Sequence, residues 1–534
     1  MNITNLGVAL IRHGKSWAPA LALVLTPATA RAQLNDMTQT PNTAGVGINK
    51  SLAEQVGSGR GDVFTPGSSR FIIARDPFRS IRRGRQIFQR KFTMAQGLGP
   101  RTNDGVGNIE TEASHGAGLS DSCASCHGRP RGSAGFGGDV FTRPDSRDAP
   151  HLFGLGLQEM LADEITQDLR AIRAAAVAKA LQQGTPVTST LTSKGIHYGS
   201  ITALPDGSVL TGGVQGVDAD LRVRPFFAQG GTISIREFLV GAFNAEMGLE
   251  APDPDLLAAS MGATVTTPSG MVLDGANDAI EAPPAIAPGA DPDGDGFTNE
   301  IDTAIVDHME FYLLNYFKPA LGKSTADTLK GERIFMSIGC AECHVPDLLI
   351  QRDRRVADVE TRYDPTNGIF NRLFATAVGH FTTADDGSGF PARKDPSLQP
   401  FLVERIFTDF KRHDLGPNFH ERNFDGSVRT HFLTEPLWGV GSTAPYGHDG
   451  RSMNLEEVIL RHSGEALSAR NSFAALNGNK QGQLMAFLGT LVVFPPDDTA
   501  SNLDPGNSAT SGFPQFGHGS IKLTVLFNNP SDSE

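Results

Sequence analysis

The sequence predicts a mainly α chain of two related units with long loops and one small β insertion in the first unit. Three observations predict it. The same short helical layout occurs in both halves, as Gly84-Arg-Gln-Ile-Phe88 and Gly331-Glu-Arg-Ile-Phe335. Gly 60 and Pro 33 are high counts for 534 residues, which points to long loops around a modest number of helices. Only residues 195–235 alternate as strands do, around the turn Pro205-Asp-Gly-Ser208. The length itself calls for more than one core.

In chain order, residues 1–32 read as a signal peptide. Arg12 and Lys15 supply a positive start, and Trp17 to Ala30 is apolar but too short to span a bilayer. Ala30-Arg31-Ala32 offers a cleavage site, while Pro19 and Pro27 argue against a buried first helix. Cleavage would remove three cations and no acids, taking the formal net charge from -13 to -16. The expectation is a periplasmic or secreted protein with no membrane span in its mature form. A polar lead-in follows at 33–75, then the first unit at 76–290. Here helices are expected over Ile81 to Phe88 and Asp163 to Gln183, the latter ended by Gly184. Residues 291–325 read as an acidic linker with a helix over Asp302 to Phe317. The second unit is 326–495, with last helices over Leu455 to His462 and Gln483 to Phe494, and 496–534 is a polar tail.

The acidic balance excludes a nucleic-acid partner on electrostatic grounds. It serves solubility, or it steers a small basic electron-transfer protein. Oligomeric state is not legible.

All four cysteines fall in two Cys-x-x-Cys-His strings, Cys123-Ala-Ser-Cys126-His127 and Cys340-Ala-Glu-Cys343-His344. On a helical turn, cysteines three apart face one side, and the adjacent imidazole turns toward the same centre. Two thiols then meet the two vinyl groups of one haem, with a nitrogen under its iron. A zinc site would need four ligands in one cluster, and these strings lie over 200 residues apart. Disulfides within a string would close tiny loops and stabilise little. The strings therefore predict two covalently bound haem c groups, proximal ligands His127 and His344, and two cytochrome c-like haem domains.

A second metal motif lies between the units, in the stretch from Asp291 to Asp302. Read as an EF-hand loop, Asp291, Asp293 and Asp295 take positions 1, 3 and 5, and Gly296 makes the turn at 6. Phe297 offers its carbonyl at 7, Asn299 stands at 9 and Asp302 at 12. Hard oxygen ligands at this spacing suit Ca²⁺. Asp at position 12, where Glu is usual, gives a shorter arm. An acidic glycine-rich linker is the competing reading.

Further motifs carry a resemblance. They are Asp409-Phe-Lys-Arg-His413-Asp414-Leu-Gly416-Pro417, Pro436-Leu-Trp438-Gly, Tyr446-Gly-His448-Asp449-Gly450-Arg451 and His462-Ser-Gly464-Glu465. With Ser122 to Pro130 and Leu152 to Glu159 upstream, their order resembles the di-haem oxidoreductase (putative peroxidase) family, related to the bacterial dihaem cytochrome c peroxidases. The resemblance implies that the distal ligand of the second haem lies fourteen residues after His448, at His462. The residues agree, because Leu455, Val458 and Ile459 make an apolar helical face that His462 extends. A plain helix C-terminal cap before Gly464 is the other reading.

No sixth ligand stands out for the first haem, and His151 reads as incidental. Glu159 is either the acid/base group of a peroxidase-like reaction or a helix N-terminal acid beside Asp163. Trp438 is either an electron relay between haems or a core aromatic. Thr434-Glu435-Pro436 departs from the family's usual Arg-Thr-Pro-Pro, which puts haem contacts there in doubt. The resemblance implies a peroxidase-like oxidoreductase acting on peroxide or O₂, with a reactive first haem and a bis-His second haem for electron transfer. A non-catalytic periplasmic electron carrier and a dihaem oxygenase of organic substrates are the alternatives.

Overall fold

The computed structural model describes residues 51–88, 90–93, 96–98, 122–127, 149–292, 296–315, 321–358, 378–423 and 425–492. Residues 1–32, expected to be a signal peptide, the stretch 128–148 after the first Cys-x-x-Cys-His string, Asp293, Asp295 and the expected tail from 496 lie outside them.

The helices, in order, are α1 (Leu52–Val56), α2 (Ser69–Arg75), α3 (Pro77–Phe88), α4 (Cys123–His127), α5 (Leu155–Gln183) and α6 (Ile235–Met247). They continue with α7 (Pro254–Ser260), α8 (Thr303–Asn315), α9 (Ala326–Ser337), α10 (Leu455–Arg461), α11 (Leu467–Ala474) and α12 (Gly478–Leu488). Together with small sheets they make a mixed, partly helical fold. The long α5 begins two turns earlier than Asp163, because Gly154 (φ 77) turns the chain there and Leu155, Leu157, Met160 and Leu161 are all buried. It ends as the sequence predicts, at Gly184 in the left-handed region (φ 64).

The β insertion is an antiparallel sheet of β1 (Val187–Ser193), β2 (Ile196–Ala203) and β3 (Val209–Leu210). Lys194 and Gly195, both at positive φ, make the two-residue hairpin between β1 and β2. The expected turn at Pro205 to Ser208 joins β2 to β3, with the Leu204 N–H donating to the Ser208 carbonyl at 2.8 Å. The expectation that this is the one β stretch is wrong. Further two-stranded ladders pair 264–266 with 272–274, 348–350 with 401–403, 381–384 with 393–396 and 412–414 with 431–433. Each strand has three or four residues, too few for a period of two to show in the sequence.

The repeat between the halves survives as a pair of helix crossings. At Gly84, a Cβ would lie 2.3 Å from the His308 carbonyl oxygen on α8, so α3 and α8 touch backbone to backbone. Four residues on, Phe88 packs on Tyr312 with ring centroids 6.0 Å apart. At Gly331, a Cβ would lie 1.9 Å from the Gln483 carbonyl oxygen on α12, and four residues on Phe335 packs on Phe487 at 5.6 Å. The helix over 303–315, assigned from sequence to the linker, is thus the partner of α3.

One large core runs from Ile73 to Trp438 and includes Leu348, Ile350, Val403, Ile406 and Phe410 from beyond residue 326. A smaller core of Phe335, Phe407, Phe473, Leu484, Phe487, Leu488 and Leu491 surrounds the second Cys-x-x-Cys-His string.

Candidate haem sites

Cys123 to His127 form α4, and Cys340 to Glu342 form a 3-10 turn that opens from Gly339 at φ 99. The four cysteines are free thiols. Burial pushes the Cys123 thiol up to about 12 and the Cys340 thiol up to about 11, so both stay protonated until they react.

The histidines show whether a haem fits. The Nδ1–H of His127 donates to the Pro150 carbonyl at 2.7 Å, and that of His344 donates to the Phe407 carbonyl at 3.1 Å. A carbonyl only accepts, so each Nδ1 carries the proton and Nε2 is the basic nitrogen that can bind iron. His462 shows the same arrangement, its Nδ1–H donating to the Val458 carbonyl at 2.6 Å. It is also the C-cap residue of α10, so both sequence readings of His462 describe the same residue. Burial lowers the imidazolium pKa of His344 to about 4 and also lowers that of His462. The two rings are near enough that charge on His462 disfavours charge on His344.

Packing holds these rings. Phe335 and His344 have centroids 6.0 Å apart, and Phe419 meets His462 edge to face at 5.2 Å. Arg461 lies over Phe419 at 4.0 Å while its Nη2 bonds both Asp449 oxygens at 2.7 Å. On the first side, Phe238 of α6 meets His127 edge to face at 6.3 Å.

Beside the second string, Asp409, His413 and Glu465 come together with Cys343, an arrangement that sequence reasoning missed. Cys343, Asp409 and His413 place their ligand atoms within 4.8 Å of one another, the one such cluster among the described residues. His413 faces Asp409 through Nε2 at 2.9 Å and Glu465 through Nδ1 at 2.7 Å. Burial opposes its charge, but Asp409 and Cys343 together outweigh burial and lift it to about 11. The spacing His413 to Glu465 carried no signal for this, because the clamp forms between a strand and a distant turn. His448 stacks on Phe432 at 3.9 Å, with an interplanar angle of 13°.

Glu159 sits buried on the second turn of α5, where its Oε2 accepts the N–H of Ile235, the first residue of α6, at 2.8 Å. Burial, with Asp163 nearby, holds its carboxyl well above the usual range. It therefore stands at the N-terminus of the helix that carries Phe238 to His127. The helix start that its carboxyl meets is that of α6, while the sequence reading of a helix N-terminal acid placed it at the start of its own helix. Trp438 is buried in the large core, its ring against Gly154, where a Cβ would lie 2.4 Å from the indole. Its carbonyl accepts from His151 Nε2 at 2.7 Å, while the His151 Nδ1 accepts the Phe153 N–H at 3.3 Å. His151 was passed over in the sequence; both its ring nitrogens are engaged here.

In the acidic loop, Gly296 adopts φ 88 as position 6 requires, and its N–H donates to Asp291 Oδ2 at 3.1 Å. Asp302 caps α8 through the Ala304 N–H at 2.8 Å, and Asn299 Oδ1 accepts the Gly289 N–H at 2.9 Å. Phe297 is partly buried.

No helix among the described residues is long and apolar enough to cross a membrane. Residues 350–491, a little over a quarter of the chain, match the family model described as "Di-haem oxidoreductase, putative peroxidase", which supports the family to which the motifs point. The matched stretch begins after both Cys-x-x-Cys-His strings, so it supports the family independently of them. No curated protein matches the chain. Among solved structures, Kuenenia stuttgartiensis hydrazine synthase pressurised with 20 bar xenon is similar, at 14% identity and a TM-score of 0.22. That match covers 36% of this chain and 56% of the other, little more than half its length, and a likeness this weak carries no argument.

Proposed function

We propose that this chain is an exported dihaem c-type oxidoreductase, peroxidase-like, with a reactive first haem and an electron-transfer second haem. Cys123 and Cys126 would attach the first haem above His127, and Cys340 and Cys343 the second above His344. His462 would complete the second as a bis-His site, low in potential compared with a Met-ligated one. The observation that carries this reading is shared by His127, His344 and His462: each gives its Nδ1–H to a backbone carbonyl and keeps Nε2 for a metal.

Bound haem supplies one-electron chemistry and, where an axial position is open, a place for peroxide or O₂. The protein's own residues do the rest. His127 and His344 orient through their carbonyl partners. Glu159, its carboxyl raised well above the usual range by burial, would be the acid/base group at the α6 N-terminus, one helix turn from the residue that packs on His127. Ca²⁺ held from Asp291 to Asp302 would tie the linker to the start of α8. A small redox protein would supply or accept electrons at the acidic surface.

The deciding experiment is a pyridine haemochrome assay with EPR on the full chain produced in a periplasm. Two haems per chain, one high-spin and one low-spin, and turnover with peroxide are expected. Two low-spin haems that bind neither cyanide nor peroxide would make the chain an electron carrier. Oxygen uptake with an organic substrate and no donor would make it an oxygenase.

A further inference from the structure

The two proximal histidines are joined by an unbroken run of covalent and hydrogen bonds. We propose that this run, closed in its middle by His151, is the path along which electrons pass between the two haem sites. The inference rests on the dihaem reading above and adds a route to it.

The run can be followed atom by atom. His127 Nδ1–H donates to the Pro150 carbonyl at 2.7 Å. Pro150 is bonded to His151, whose Nε2–H donates to the Trp438 carbonyl at 2.7 Å. One residue back, the Leu437 N–H donates to the Ile406 carbonyl at 3.1 Å. Ile406 is bonded to Phe407, whose carbonyl accepts the Nδ1–H of His344 at 3.1 Å. Four hydrogen bonds and three short backbone segments thus link the rings of the two proximal ligands. Electron tunnelling decays less steeply along bonds than through the gaps between packed groups, so a bonded run outcompetes a packed one of equal length.

His151 is the one link in the middle of this run that is a side chain. Everything else between Pro150 and Phe407 is backbone. The ring is held on both sides: Nδ1 accepts the Phe153 N–H at 3.3 Å, and the ring stacks on Phe153 at 5.4 Å. Burial lowers its pKa to about 4, so it stays neutral and keeps its Nε2 proton. In the transfer, one iron is oxidised by one electron and the other is reduced by one. No bond is made or broken and no proton moves. His151 is therefore a positioning residue that acts through the Trp438 carbonyl.

The test uses the full chain carrying both haems. Pulse radiolysis delivers one electron, and absorbance at the two haems follows its redistribution; redox titration gives both midpoint potentials. His151→Phe is expected to slow redistribution at least tenfold with both potentials unchanged. His151→Gln, whose amide can still donate to the Trp438 carbonyl, should recover much of the rate, and it serves as the second variant if the Phe substitution does not fold. Redistribution at the wild-type rate in His151→Phe overturns the proposal. So does a loss of rate in Trp438→Phe with none in His151→Phe, which would assign the path to the indole ring. Fewer than two haems in the unaltered chain would overturn the dihaem reading itself, before any rate is measured.

Discussion

Replacing Gly331 by Ala tests the claim that the second unit is built on a close helix crossing. A Cβ at Gly331 would lie 1.9 Å from the Gln483 carbonyl oxygen and 2.8 Å from Phe487 Cβ. The first contact is backbone on a packed helix and cannot swing aside. Restoring an ordinary contact needs α9 and α12 to separate by roughly 1.5 Å, which loosens the Phe335–Phe487 pair and the seat of His344. Overpacking of this kind costs about 1–3 kcal/mol. The higher helix propensity of Ala returns about 1 kcal/mol, so with a backbone clash at the upper end of that range the net loss is up to about 2 kcal/mol. That corresponds to a fall in Tm of roughly 4–8 °C for a unit of this size. The control is Gly241→Ala in α6, where a Cβ meets nothing within 4 Å and stability should rise by about 0.5–1 kcal/mol. Thermal unfolding by circular dichroism reads both. A Gly331→Ala protein that melts with or above the unaltered chain would refute the reasoning.

Four other outcomes follow from the same structure. His462→Ala should convert the low-spin EPR signal of the second haem to high-spin; a signal that stays low-spin removes His462 as the ligand. Glu310, on Arg236 at 2.9 Å, has its pKa raised by burial from 4.5 to about 7. The folded state then holds that proton more tightly than the unfolded chain, so its contribution to stability falls as pH rises between 4.5 and about 7. The Tm of Glu310→Gln, measured against the unaltered chain, should therefore improve from pH 5 to pH 8, and a flat difference would contradict this. If the acidic loop holds Ca²⁺, a chelator should lower the Tm of the unaltered chain and leave that of Asp291→Ala where it is. Asp302→Ala should cost about 1 kcal/mol even in chelator, because Asp302 also caps α8.

Much of the chemistry was legible because it is local. A Cys-x-x-Cys-His string carries its own geometry on one turn, and a helix such as α5 is announced by its formers and its closing Gly184. The family was legible for a related reason, since its motifs keep their order along the chain. The short ladders of the second half were not legible, because strands of three or four residues take their pairing from partners far away in sequence. The early start of α5 was hidden because its first two turns are buried on every side, with Gln158 and Glu159 among the apolar residues, and show no period.

The sequence by itself determined the two Cys-x-x-Cys-His strings, the candidate ligand at His462 and the acidic loop. These depend on residues within one or two turns of each other, where spacing is geometry. Only the tertiary structure decided that α8 is the partner of α3, that Glu159 stands at the head of α6, and that His151 lies on a bonded line between His127 and His344. Those facts join residues tens to hundreds of positions apart, and a chain records such contacts only once it has packed.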